Sequence, residues 1–103
     1  MRILIADPLR DQRALLRAMC RGYWVKEVSH STEALSKAKD FDVILTEVGF
    51  PGLGGQDYLD QLRRKTTAKI IVVTAYRENF DADVVFHKPI YTGDVINAIL
   101  SKT

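Results

Sequence analysis

Val43-Ile44-Leu45-Thr46-Glu47-Val48-Gly49-Phe50-Pro51-Gly52-Leu53-Gly54-Gly55 is the stretch on which the reading of this chain turns. An uninterrupted apolar run ends in a carboxylate, and a turn-rich segment then delivers the chain into a helix. The pattern recurs. Arg2 to Ala6 ends in Asp7, Ile70 to Val73 ends in Thr74-Ala75, and Val84 to Phe86 ends in His87-Lys88-Pro89. Near-continuous runs rich in β-branched residues are what parallel strands covered on both faces require. If the strands are parallel, Asp7, Glu47, Thr74 and Lys88 converge at one edge of the sheet, where open α/β folds place their ligands.

Helical patterns fill the intervals. Leu9, Leu15, Leu16, Met19 and Cys20 form the expected buried side of a helix from about Leu9 to Arg21, which Gly22 terminates. Tyr23 to Val28 reads as a strand of mixed pattern, nearer a sheet edge, with Tyr23 and Trp24 covering that edge. An exposed Trp24 would suit a partner contact. Ser31 is placed to cap a second helix with Ala34, Leu35 and Ala38 inward. Gln56 to Arg64 is a third, with Tyr58, Leu59 and Leu62 apolar. Thr92 is placed to cap the last, whose Val95, Ile96, Ile99 and Leu100 face the core. Regular β-α alternation with right-handed crossovers gives an α/β, doubly wound sheet. One unit is short: between Thr74 and Lys88, after ordinary loops, little more than one helical turn fits around Tyr76 to Ala82. A fourth helix there should be vestigial or absent.

With 103 residues, 47% of them hydrophobic and 27% charged, the chain fits one small domain with a single core, residues 1–103. No internal repeat, membrane span or secretion signal is read, since Ile3-Leu4-Ile5-Ala6 is cut off at once by Asp7; a cytoplasmic address is the expectation. Cys20, the only cysteine, has no intramolecular disulfide partner and reads as a small core residue. A formal charge of +2 is too small to argue for nucleic acid, yet it is uneven: Arg10, Arg13, Arg17, Arg21 and Lys26 face only Asp11 between residues 8 and 26. Arg13, Arg17 and Arg21 recur at i+4 and share a helix face. Such a stripe is ordinarily solvated; its sharper reading is a docking surface for an acidic partner.

Taken together, Ile3-Leu4-Ile5-Ala6-Asp7, Arg13-Ala-Leu-Leu-Arg17, Glu33-Ala34-Leu35, Asp42-Val-Ile-Leu45, Phe50-Pro51-Gly52-Leu53-Gly54-Gly55, Ile71-Val-Val-Thr-Ala75 and Lys88-Pro89 resemble the receiver domain of two-component response regulators. The likeness runs over essentially the whole chain and rests on the order and spacing of these short motifs. It implies a flavodoxin-like, five-stranded parallel sheet in the order 2-1-3-4-5, with Glu47 between Asp7 and Thr74 and Lys88 beyond. In a working receiver an aspartate ending the third strand accepts a phosphoryl group from a histidine kinase. Paired acids after the first strand hold magnesium, a Ser or Thr and a Lys steady the phosphate, and an aromatic residue on the fifth strand reports the change. On that pattern Thr74 and Lys88 match, and Asp7 matches one acid. Pro8 stands where the second acid is expected, Glu47 fills the acceptor position, and Val85 fills the aromatic switch position.

These departures push one way. Phosphoryl transfer to a carboxylate depends on positioning and charge neutralisation, so a longer acceptor side chain is misaligned. Losing an acid weakens a magnesium site, because magnesium dehydrates reluctantly and is held by carboxylates. No cofactor is expected, with weak magnesium binding at most. Fewer negative charges make a metal-free site easier to hold, and Glu47 reaches further toward Lys88 than Asp could. A direct Glu47–Lys88 ion pair is therefore expected, acting either as a locked mimic of a phosphorylated form or as a relic that stabilises the fold. The resemblance also implies a cis bond at Lys88-Pro89. His87 and His30 read as packing or surface residues, since no second ligand is spaced to share a metal.

The leading reading is an atypical, non-enzymatic receiver that binds a protein partner or a neighbouring domain of a longer regulator without phosphoryl transfer. An unusual but functional phosphoacceptor is the first alternative. A small flavodoxin-like ligand-binding domain is the second, opposed by Asp7-Pro8-Leu9-Arg10, which offers no phosphate-cradling glycine loop. Direct DNA binding ranks lowest, because no helix-turn-helix pattern is present.

Overall fold

The computed structural model describes residues 1–101. Its strands are β1 (Arg2–Ala6), β2 (Trp24–Val28), β3 (Val43–Thr46), β4 (Lys69–Thr74) and β5 (Val84–His87). Its helices are α1 (Arg10–Met19), α2 (Ser31–Lys37), α3 (Gly55–Lys65) and α4 (Thr92–Leu100), with a short 3-10 turn at Ala38–Asp40. All strand pairs are parallel and the order is β2-β1-β3-β4-β5. β1, β3 and β4 are buried almost throughout, as their unbroken apolar runs demand, whereas β2 alternates exposed and half-buried residues at the sheet's edge.

The two sheet faces carry separate cores. Leu4, Ile44, Ile70 and Val72 pack with Ala34, Tyr58, Leu59 and Leu62 from α2 and α3. Ile3, Ile5, Leu45 and Ile71 pack with Leu16, Met19, Val95 and Ile99 from α1 and α4. Tyr58 is fully buried, and its hydroxyl pairs with Thr46 Oγ1 at 2.8 Å, which removes the penalty of an unsatisfied polar group in the core. That burial pushes the phenol up to about 12, against the smaller opposing effect of the Thr46 hydrogen bond. Lys69 ties α4 down by donating to the Ala98 and Ser101 carbonyls at 2.6 and 2.7 Å, a cation placed at the negative end of the helix dipole.

The crossover from β4 to β5, residues 75–83, contains no helix. It is pinned to α3 instead. Gln56 donates to the Asp81 carbonyl at 3.2 Å and accepts the Asp81 amide at 2.8 Å, while Arg63 contacts Asp83 at 2.6 Å. Asp83 also accepts the Ile70 amide at 2.8 Å. Phe80 and Ala82 lie against the α3-side core, standing in for the missing helix's apolar face.

Several expectations need correction. Leu9 and Leu15 are 60% and 46% exposed: Leu9 is the extended residue before α1, and Leu15 lies one position round the helix from the buried Leu16. Leu100, on the last turn of α4, is exposed as well, and Ile96 is half-buried. Ser31 and Thr92 are first helical residues, not caps. The helices start one residue earlier than expected, at the extended His30 and Tyr91, whose carbonyls accept the Ala34 and Val95 amides. The second strand begins at Trp24, because Tyr23 is still tied by its amide to the Cys20 carbonyl. Gly22 does end the first helical segment, at φ +97°, where a side chain would be strained.

Candidate functional site

Parallel register brings the strand ends together: Ala6 pairs with Thr46, Thr46 with Val72, and Thr74 with His87. Asp7, Glu47, Thr74 and Lys88, each at or just beyond one of these ends, therefore share one rim. Asp7 and Thr74 are fully buried and Glu47 is 6% exposed. The Lys88-Pro89 peptide bond is cis.

Lys88 Nζ lies 3.0 Å from Glu47 Oε2 and 3.4 Å from Asp7 Oδ2. The other Glu47 oxygen, Oε1, accepts the Val48 amide at 2.8 Å and the Gly49 amide at 3.4 Å. Burial works to raise this carboxyl, but the Thr74 hydroxyl, the Val48 amide and the Lys88 ammonium together outweigh it and hold Glu47 below the usual carboxylate range. Asp7 is held differently. Its Oδ1 accepts the Leu9 amide at 2.8 Å, which turns the chain into α1, and its carbonyl accepts Arg13 Nη1 at 2.7 Å.

The rim thus contains two carboxylates and one ammonium, with every carboxylate oxygen already hydrogen-bonded. Pro8 adds no acid, and no group of three or more His, Cys, Asp or Glu is arranged to hold a metal among the described residues. Val85, which the resemblance aligns with the switch residue, is half-buried against the α3-side core. His87 is half-buried, and its Nε2 has no hydrogen-bond partner among the described residues. His30 is exposed and bonds Glu33 at 2.8 Å.

Four residues escaped the sequence reading. The amides of Val48 and Gly49 carry no side-chain signature. Tyr76 lies over Gly49 so closely that a Cβ at position 49 would stand 2.5 Å from its Cε2. Glu27 lies one residue past the basic stretch that ends at Lys26, and it contacts Arg17 at 2.7 Å and Arg13 at 3.7 Å. The stripe of Arg13, Arg17 and Arg21 is therefore not uniformly free: of the three, only Arg21 has no carboxylate within ion-pair distance among the described residues. Cys20 is a core residue, its thiol pushed by burial up to about 11. No helix among the described residues is long and apolar enough to cross a membrane.

Comparison with known proteins agrees with this geometry. The model of the response regulator receiver domain matches residues 3–98. The transcriptional regulatory protein KdpE of Mycobacterium tuberculosis is 34% identical over 86 residues, a match spanning 77% of this chain but only 37% of KdpE. The CheY-like receiver domain protein from Methanospirillum hungatei superimposes with a TM-score of 0.79 at 26% identity, covering 95% of this chain and 89% of that one. The response regulator TrrA from Thermotoga maritima, solved as a magnesium–BeF complex, gives a TM-score of 0.83 at 28% identity, with 95% of each chain covered. A family match over nearly the whole chain, and a sheet and rim of the form the resemblance implies, lead to one conclusion: this chain belongs to the response regulator receiver domain family.

Proposed function

We propose that the domain is an atypical receiver that signals through contacts with a protein partner or a neighbouring domain, without accepting a phosphoryl group. One observation carries the reading: the Glu47 carboxylate itself occupies the donors that would have to receive a phosphoryl group. Lys88 and the amides of Val48 and Gly49 are already turned on an anion. A phosphoryl group on Glu47 would have to displace them, and it would do so with its acceptor oxygen a methylene further out than an aspartate's.

The donor set argues the same way for the metal. TrrA was solved with magnesium, but here Asp7 faces Lys88 and Leu9 N–H, and Pro8 supplies no oxygen ligand from its side chain. These residues do not fit a magnesium site of ordinary affinity. The second reading, an unusual phosphoacceptor, is supported by Thr74 and Lys88 in the phosphate-steadying positions. KdpE's description as a transcriptional regulator favours a role beside an output domain.

Incubation with acetyl phosphate and magnesium, followed by intact mass measurement, tests the reading. The expected product is unmodified protein. A stoichiometric phosphoryl adduct on Glu47 or Asp7 would transfer the assignment to the phosphoacceptor.

A further inference from the structure

The sheet ends at β2, and among the described residues no strand pairs with its outer side. Val28 directs its carbonyl inward to the Asp7 amide at 3.2 Å, so strand alternation turns the peptide groups of Glu27 and Val25 to the open edge. An edge of this kind is a template for another strand.

The two faces at this edge are chemically unlike. On the α1 side a groove of about 490 Å³ is lined by Ala14, Ala18 and Val25, by Arg10, Arg17 and Arg21, and by one acid, Glu27. Arg17 shares Glu27 with Arg13, whereas Arg10 and Arg21 have no carboxylate within ion-pair distance among the described residues. On the opposite face Trp24 is 53% exposed, resting on Phe41 with the Arg2 guanidinium 4.2 Å from its ring centroid. A strand added beside β2 would send alternate side chains into the arginine groove and onto the indole.

We propose that the β2 edge binds an extended acidic segment of a partner protein as a sixth strand, its carboxylates meeting Arg10 and Arg21 and its alternate apolar side chains covering Trp24. Backbone pairing supplies affinity and the two alternating faces supply specificity. A second copy of this chain is the poorer occupant, because joining two β2 edges brings the two arginine groups and the two Lys26 side chains toward one another. The inference is independent of the chemistry at Glu47.

Trp24 is the only tryptophan, so its emission reports on this edge directly. The probe is a blocked peptide of alternating Glu and Val, titrated into the intact domain. The expected result is a saturable blue shift of Trp24 emission with slowed amide exchange at Val25 and Glu27. The same peptide N-methylated at alternate residues, and a Lys-Val analogue, should produce neither. The R10E/R21E double variant should weaken binding by at least about tenfold, because two charge pairs across the interface become like-charged. An R64E/K65E control, on the last turn of α3, should bind as the parent does, and denaturation midpoints verify that both variants fold. Absence of peptide binding, equal binding of the N-methylated peptide, or unchanged affinity in R10E/R21E would overturn the proposal. So would a Trp24 shift that grows with domain concentration alone, which would give the edge to a second copy.

Discussion

Lys88 and Glu47, forty-one positions apart, meet at 3.0 Å at the end of the sheet, and the ammonium stands closer to Glu47 than to Asp7. The pair is nearly dry on the carboxylate side, so its members depend on one another. Removing one partner of a buried pair leaves an uncompensated charge, whereas removing both is often close to neutral.

Lys88→Met should therefore lower stability by about 3 kcal/mol, since it strands both Asp7 and Glu47. Adding Glu47→Gln should recover part of that loss, not add to it. Chemical denaturation of the two single variants and the double variant gives the coupling energy, and strict additivity would show that the contact does not couple the two side chains.

Acid dependence follows from the sign of the Glu47 shift. Its folded value lies below the ordinary 4.5, so the ionised form is bound more favourably in the folded state. This contribution is complete above the unfolded value and is lost as pH falls through the folded one. Wild type should lose stability more steeply than Glu47→Gln below about pH 4.5, as read from denaturation midpoints across that range. Parallel curves would place the ionised carboxylate outside the stability balance.

Restoring chemistry should take two changes. Glu47→Asp shortens the acceptor but leaves one acid at the rim beside it, so acetyl phosphate should still yield little adduct. Glu47→Asp with Pro8→Asp rebuilds the acidic pair implied by the receiver pattern, and intact mass should then report a magnesium-dependent phosphoryl adduct. An adduct in the single variant as strong as in the double would mean that position 8 does not limit the chemistry.

Two glycines beside the rim should respond differently to alanine. The nearest atoms to a Cβ on Gly49 belong to the half-exposed Tyr76 side chain, which can swing outward, so Gly49→Ala should cost less than about 1 kcal/mol. A Cβ on Gly54 stands 2.6 Å from the Val48 carbonyl oxygen, which is backbone, so Gly54→Ala should cost about 2 kcal/mol or more. Thermal denaturation of both variants measures the contrast, and a reversed order would contradict the packing around the β3–α3 loop.

The strands, their parallel arrangement and the four rim residues were readable from the chain, because a buried parallel strand must be apolar throughout and the first polar residue marks where it ends. So was the loss of a helix between Thr74 and Lys88, a matter of chain length alone. The helix starts at His30 and Tyr91 were misread because a hydroxyl one residue downstream resembles a cap, while the turn begins wherever the backbone leaves the extended region.

What linear order could not supply was how charge is shared in space. Glu27 takes Arg13 and Arg17 because β2 returns beside α1, and Val48 and Gly49 aim their amides at Glu47 because the chain turns sharply after β3. Residue types limit which interactions are available; the turn after β3 and the return of β2 beside α1 select among them, because hydrogen bonds and ion pairs act only over a few ångströms.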